Sequence, residues 1–83
     1  MEVYLTRHAR NRMRLYDIPL EEVEALLEHP DQVTVGAFGR QHVWKRREPG
    51  GWLRVIFKDE GVRRMVITVT PKRQFLQGGR HAD

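Results

Sequence analysis

The stretch WLRVIFKDEGVRRMVITVT, residues 52–70, decides the fold of this chain. Apolar side chains alternate with other side chains along Trp52–Lys58, and a period of two returns along Val62–Thr70. A polar turn, residues 59–61, separates the two runs. Alternation of this length around a short turn that contains glycine is typical of an antiparallel β-hairpin. The sequence therefore predicts two neighbouring strands of one sheet.

The predicted hairpin has one apolar face and one mixed face. The alternation assigns to the face toward the core Leu53, Val55, Phe57, Met65, Ile67 and Val69. It assigns to the opposite face Arg54, Lys58, Thr68 and Thr70, among Trp52, Ile56 and Val66. A mixed face of this kind suits a nucleic acid, because bases stack on aromatic rings and phosphates bind cations. Pro71 is expected to end the second strand, since proline has no N–H to donate.

Two amphipathic helices are predicted before the hairpin. Thr6 is a suitable N-cap for a helix that continues to about Tyr16. The apolar stripe of this helix contains Leu5, Ala9, Met13 and Tyr16, and its shoulder carries His8, Arg12 and Leu15. Pro19 suits the start of a second helix, and Pro30 ends it, because the residue before a proline disfavours helix. The apolar face of the second helix contains Leu20, Val23, Leu26 and Leu27.

Two shorter strands, Gln32–Val35 and Gln41–Arg47, are predicted between the helices and the hairpin. The whole pattern predicts an α+β fold in which two N-terminal helices pack on one face of a four-stranded antiparallel β-meander. We expect a single domain over residues 1–71. Residues 72–83 are polar and aperiodic, and we expect a largely mobile tail in which Phe75 and Leu76 are able to dock.

The composition excludes several classes of site. The 83 residues contain no cysteine and no serine, so a disulfide scaffold, a thiolate metal site and a Cys or Ser nucleophile are excluded. His8, His29, His42 and His81 lack metal-ligand spacing, and no glycine-rich phosphate loop is present, so we expect neither a metal nor a cofactor. No run is apolar enough for a membrane span or a signal peptide, so we expect a cytoplasmic protein that does not bind membranes.

The charges are segregated along the chain. The net charge is +4, yet residues 17–31 contain six acidic residues and no basic one. All fifteen lysines and arginines lie outside that segment. Segregation of this kind produces a surface potential that steers polyanions, although solvated charged faces give the same pattern.

The run LTRHARNRM (Leu5–Met13), followed by LRVIF and VITVT in the hairpin, resembles a family of small bacterial domains of unknown function. This family is related to the BrnT toxins and, more distantly, to the RelE-type ribonucleases of toxin–antitoxin systems. The resemblance covers roughly residues 5–70. It implies a RelE-like fold, metal-independent cleavage of RNA and an antitoxin protein as partner. The chain has Pro19 where the family often has a serine before the second helix.

The resemblance also implies catalytic residues. His8 and Arg12 match the histidine and arginine of the first helix, Thr68 is the threonine of the VIT strand, and Arg54 lies in the LRV strand. Cleavage through the 2′-hydroxyl needs a proton acceptor, a proton donor and a cation for the phosphorane. Histidine exchanges protons near neutrality, and arginine binds phosphate through two parallel hydrogen bonds. His8 and Arg12, one helical turn apart, are therefore able to act on one phosphodiester.

Structural roles remain open for the same residues. His8 is also able to bond a backbone carbonyl or Thr68, and Arg12 to pair with Glu22 or Glu24. Lys45, Arg46, Arg47 and Lys58 are candidates for contacts with the RNA backbone, while charges on an edge strand also deter aggregation. Trp44 and Trp52 either stack on bases or complete the core.

Two functions are compatible with this sequence. The favoured interpretation is a ribonuclease, the toxin of a toxin–antitoxin pair, which acts on RNA without a cofactor. The alternative is a non-catalytic module of the same fold that binds RNA or protein. In either case an exposed edge strand, Gln32–Val35 or its neighbour, offers a surface for a homodimer.

Overall fold

The computed structural model describes residues 2–75, which form a mixed α+β fold of two helices and one five-stranded sheet. The elements in chain order are β1 Glu2–Leu5, α1 Arg7–Leu15, α2 Leu20–Glu28, β2 Gln32–Val35, β3 Gln41–Arg46, β4 Trp52–Glu60 and β5 Arg63–Lys72. The strand order across the sheet is β1-β5-β4-β3-β2. The predicted α+β class is confirmed.

The prediction of four strands was wrong, because Glu2–Leu5 forms a fifth strand, β1, at one edge of the sheet. It pairs in parallel with β5, whereas the four predicted strands form the antiparallel meander. Leu5 therefore belongs to β1 and not to the stripe of α1, although it still packs against the core. The partner of β1 lies about sixty residues away in the sequence, so no local pattern indicates this pairing.

The helices begin and end near the predicted positions. Thr6 is the N-cap of α1, and its Oγ1 accepts a hydrogen bond from the backbone N of Ala9 at 3.1 Å. Pro19 is the N-cap of α2, and the helix ends with His29 as its C-cap. No helix in the described part of the chain is long and apolar enough to cross a membrane.

A β-bulge interrupts the β4–β5 hairpin. Ile56 pairs with Thr68, but the next residue of β4, Phe57, pairs with Val66, so Ile67 is the extra residue on β5. Because of the bulge, the side chains of β5 between Ile67 and the hairpin turn lie on the faces opposite to those predicted. Val66 is fully buried beside Phe57, while the core cluster includes neither Ile67 nor Met65. The prediction for these three side chains was therefore wrong.

The helices cover one face of the sheet. The buried cluster combines Ala9, Ile18, Val23 and Leu26 from the helical region with Val43, Leu53, Val55, Phe57, Val66 and Val69 from the sheet. Pro71, expected to end the last strand, instead lies inside β5 opposite Leu53, and β5 ends at Lys72. Of the predicted tail, residues 72–83, Lys72 is the last residue of β5 and the ring of Phe75 contacts Trp44. The rest of it, including Leu76 and His81, lies outside the described residues.

Candidate active site

The sheet face opposite the buried cluster, called here the open face, carries the predicted site residues of the strands. Arg54 of β4 lies between Trp44 of β3 and Thr70 of β5, because it pairs with both. One row along, Ile56 pairs with His42 and Thr68. Side chains paired across adjacent strands point to the same face, so these two rows form one continuous surface.

A cleft with a volume of about 390 Å³ lies between α1 and the open face. All four residues that the sequence analysis named as catalytic line it: His8, Arg12, Arg54 and Thr68. The remaining lining residues are Tyr16, Arg40, Ile56, Ile67, Thr70 and Lys72. The lining thus contains four cationic side chains, and no acidic residue is among the described residues that form it.

His8 is exposed at the mouth of the cleft, and its Nε2 lies 3.0 Å from Oγ1 of Thr68. Which of these two atoms donates depends on the tautomer of the ring. Thr6 fixes the start of α1 against the same strand, because its Oγ1 also donates to the carbonyl oxygen of Ile67 at 3.0 Å. The bulge and the helix cap therefore hold the imidazole over β5.

Arg12 lies one turn further along α1 and is half-buried. Its Nη1 donates to the hydroxyl oxygen of Tyr16 at 3.4 Å, so both side chains belong to the same wall of the cleft. Glu22, a partner suggested for Arg12, instead accepts two hydrogen bonds from Arg47, at 2.7 Å and 3.2 Å.

Arg54 forms the floor of the cleft and is only 3% exposed. Its guanidinium carbon lies 5.7 Å from the centroid of the Trp44 ring, within the range of a cation–π contact. Trp44 is itself buried. Its Nε1 donates to Oγ1 of Thr34 at 3.4 Å, and the ring of Phe75 contacts it edge-on at 5.0 Å. The guanidinium thus lies against a buried aromatic ring.

Four polar lining residues were not predicted from the sequence as site residues: Tyr16, Arg40, Thr70 and Lys72. Thr70 and Lys72 follow Thr68 at intervals of two, so a period-of-two argument would have placed them on the same face. Tyr16 follows Arg12 at one helical turn. Arg40 comes from the turn between β2 and β3, and only the tertiary fold brings it to the cleft.

The four residues expected to bind the RNA backbone lie outside the cleft lining. Lys45 Nζ donates to the carbonyl oxygen of His29 at 3.0 Å. The guanidinium of Arg46 lies 5.1 Å from the centroid of the Trp52 ring. Arg47 is paired with Glu22, and Lys58 lies on β4 opposite Met65.

Among residues 2–75, no group of three or more histidine, aspartate or glutamate side chains is placed to hold a metal ion. The chain matches no protein-family model, no curated protein and no solved structure.

Proposed function

We propose that the protein is a metal-independent ribonuclease that cleaves RNA by attack of the 2′-hydroxyl on the adjacent phosphodiester. The observation that carries the proposal is the convergence of His8, Arg12, Arg54 and Thr68 on one cleft, whose described lining residues include no acid. The residues come from the first helix and from two different strands, so a local pattern in the sequence does not explain their meeting.

The proposed reaction assigns a role to each group. His8 accepts the proton of the 2′-hydroxyl, or donates one to the leaving oxygen, and Thr68 orients the ring through the 3.0 Å contact. The 2′-oxygen attacks phosphorus, the bond from phosphorus to the 5′-oxygen breaks, and that oxygen takes up a proton. The products are a 2′,3′-cyclic phosphate and a 5′-hydroxyl.

Arg54 and Arg12 supply the positive charge for the phosphorane. A guanidinium that is fixed and shielded from water stabilises developing negative charge more strongly than a mobile, solvated one. Arg54 meets this condition because it is almost completely buried on the floor of the cleft. Arg40 and Lys72 add positive charge at the same site, which favours entry of a polyanion.

The sequence resemblance to BrnT and RelE-type proteins supports the finer parts of the proposal. On that basis the fold is RelE-like, the protein is the toxin of a toxin–antitoxin pair in the cytoplasm, and an antitoxin covers the cationic cleft. The four cationic side chains of the cleft lining support an acidic segment in the antitoxin, since opposite charges favour association.

Incubation of the full chain with mixed RNA and EDTA tests the proposal. We expect fragments that end in a 2′,3′-cyclic phosphate, because the 2′-oxygen is the nucleophile. Replacement of Arg12 by Ala should slow cleavage. Replacement by Ala of Arg10, an exposed arginine of the same helix outside the cleft lining, should not. Fragments that end in a 3′-hydroxyl would contradict the mechanism.

The same experiment distinguishes the ribonuclease from the alternative, a non-catalytic module that binds RNA or protein. A cationic cleft that only binds would give salt-dependent association with RNA and no fragments. That result would leave the protein as a binding module and would remove the catalytic roles of His8 and Thr68.

A further inference from the structure

A second pocket adjoins the cleft at the end of the β3–β4 hairpin. Its volume is about 360 Å³, and Lys72 lines both it and the cleft, so the two are neighbours on the molecule. Its principal lining residues are Trp52, Lys72, Arg73, Arg47 and the two glycines of the turn, Gly50 and Gly51. None of the described residues that line it is acidic.

The floor of this pocket is bare backbone. Gly51 has a φ of +85°, which L side chains rarely adopt, and a Cβ there would lie 3.0 Å from the carbonyl oxygen of Lys72. A Cβ at Gly50 would meet nothing within 4 Å, so the space above this glycine is open. The turn therefore lets a ligand approach the main chain closely.

Trp52 supplies the aromatic wall. It pairs with Lys72 on β5 and with Arg46 on β3, so these three side chains form the next row of the open face beyond Arg54. The guanidinium of Arg46 lies 5.1 Å from the indole centroid, and the ring of Phe75 lies 5.4 Å away with its plane tilted by 38°. Cationic and aromatic groups thus already stack against this indole.

We propose that this second pocket is a stacking subsite for one unpaired nucleotide of the RNA whose phosphodiester enters the cleft. The base stacks on the part of the Trp52 ring that lines the pocket. The side chain of Arg46 is exposed, so it is able to turn toward a phosphate without disturbing the core. Lys72 and Arg73 contact the backbone between the two sites. The inference rests on the proposed function for the identity of the ligand, and it predicts single-stranded over duplex RNA, because a paired base is not available to stack.

Binding of an uncleavable ligand tests the subsite without relying on catalysis. The probe is a short unstructured 2′-O-methyl oligonucleotide, which lacks the attacking hydroxyl, measured by fluorescence anisotropy at one fixed salt concentration. Trp52→Leu should weaken binding about 5- to 150-fold, the range found when a base loses an aromatic partner. Trp52→Phe keeps a stacking surface and should stay within about threefold of the wild type.

The structure offers a matched control at the other edge of the sheet. Tyr4 of β1 is 45% exposed, and the guanidinium of Arg63 lies 4.9 Å from its ring, much as Arg46 lies over Trp52. Tyr4→Leu should leave the dissociation constant unchanged. Equal affinities for Trp52→Leu and Tyr4→Leu, or an equal loss for Trp52→Phe and Trp52→Leu, would overturn the subsite.

A set of oligonucleotides with one abasic position each provides a second readout. One abasic position should weaken binding to the wild type and have no further effect on Trp52→Leu. If Trp52→Leu does not fold, the abasic oligonucleotides are tested on the wild type alone. The subsite would be overturned if no abasic position changed the dissociation constant. Duplex that binds as tightly as single strands, or no binding at all, would also overturn it.

The failures of the two proposals are distinguishable. Cyclic-phosphate products together with unchanged binding by Trp52→Leu would support the proposed ribonuclease and contradict the proposed subsite. Binding that depends on Trp52, with no cleavage of RNA by the wild type, would support the proposed subsite and contradict the proposed ribonuclease.

Discussion

Arg54 is the residue whose placement most needs a physical reason. A guanidinium that is 3% exposed on a central strand has lost nearly all its hydration, which costs several kcal/mol per ion even after the protein relaxes. An apolar side chain at this position would not carry that cost. Its place against Trp44 on the lining of the cleft supports the proposal that the charge serves a ligand there.

Replacement of Arg54 by Lys tests this role, because lysine keeps the charge but not the planar pair of donors. We expect the cleavage rate to fall by about tenfold or more. Arg64→Lys is the matched control, since Arg64 also lies over an aromatic ring, 4.1 Å from the centroid of Phe57, but outside the cleft lining. Both variants are measured for cleavage rate and thermal unfolding. An Arg54→Lys protein that cuts RNA at the wild-type rate would contradict the role.

Asp59 is the acidic residue for which the structure predicts a clear dependence of stability on pH. A hydrogen bond from Arg64, at 2.7 Å, lowers the pKa of the Asp59 carboxyl below its ordinary value, and the guanidinium charge acts in the same direction against partial desolvation. The ionised form is therefore favoured in the folded protein. Its contribution is present above the unfolded pKa of about 3.9 and is lost as the pH falls through the lower folded pKa.

Asp59→Asn should accordingly lower the free energy of unfolding at about pH 7 by less than about 1 kcal/mol, because the pair is partly exposed. The difference from the wild type should shrink once the pH falls below about 3.9. Urea unfolding at a series of pH values measures it, with Glu60→Gln, the exposed neighbouring acid, as control. A difference that grows toward low pH would show that the sign is wrong.

Among the elements, the β4–β5 hairpin combines what the sequence could and could not predict. The alternation of apolar residues correctly placed both strands and the core face of Leu53, Val55 and Val69. The bulge at Ile67 left no local signal. Its residues contact the start of α1, where Thr6 donates to the carbonyl oxygen of Ile67, and β1, where Leu5 pairs with Val66. Those contacts join residues about sixty positions apart.

Val66→Thr tests the bulge through stability. In a regular hairpin Val66 would share the open face with Thr68 and Thr70, and threonine would fit there. In the bulged strand Val66 is completely buried, so the new hydroxyl should cost about 1–3 kcal/mol of unfolding free energy. Val62→Thr, at a position that is 82% exposed, should change it by less than about 0.5 kcal/mol. Urea denaturation measures both, and a near-neutral Val66→Thr would contradict the bulge.

The helices were easier to predict, because their boundaries depend on nearby residues. Thr6 caps α1, Pro19 precedes α2, and the His29–Pro30 pair ends it, each by a backbone or side-chain effect that acts within a few residues. The edge strand β1 was harder to predict, because its pairing partner, β5, is distant in the sequence.

Across the whole molecule, acidic side chains are concentrated on α2 and cationic side chains in the cleft. The acidic residues Glu21, Glu24 and Glu28 are exposed on α2, while the cleft on the open face contains only cations among its charged, described lining residues. The sequence predicted this segregation from charge runs alone. It could not predict which cations share a cleft, since Arg40 meets Arg54 only through the pairing of three strands and their turns.

The predicted site residues also fall into two groups, according to the evidence from which they were predicted. His8, Arg12, Arg54 and Thr68 were named from a family resemblance and line one cleft, whereas the lysine and arginines at positions 45–47 were named from charge and lie outside its lining. Charge density on a strand identifies a basic surface. It does not distinguish a guanidinium aimed at a cleft from Arg47, which is bound to Glu22.

The most direct test of the central claim compares two histidines in one cleavage assay with EDTA. His8→Ala removes the proposed proton carrier. His29→Ala removes an exposed histidine outside the cleft, whose contact with Lys45 uses the backbone carbonyl and so survives the change. We expect cyclic-phosphate products at the wild-type rate from His29→Ala, and a rate at least about 10²-fold lower from a folded His8→Ala. Equal rates of cleavage by the two variants would contradict it.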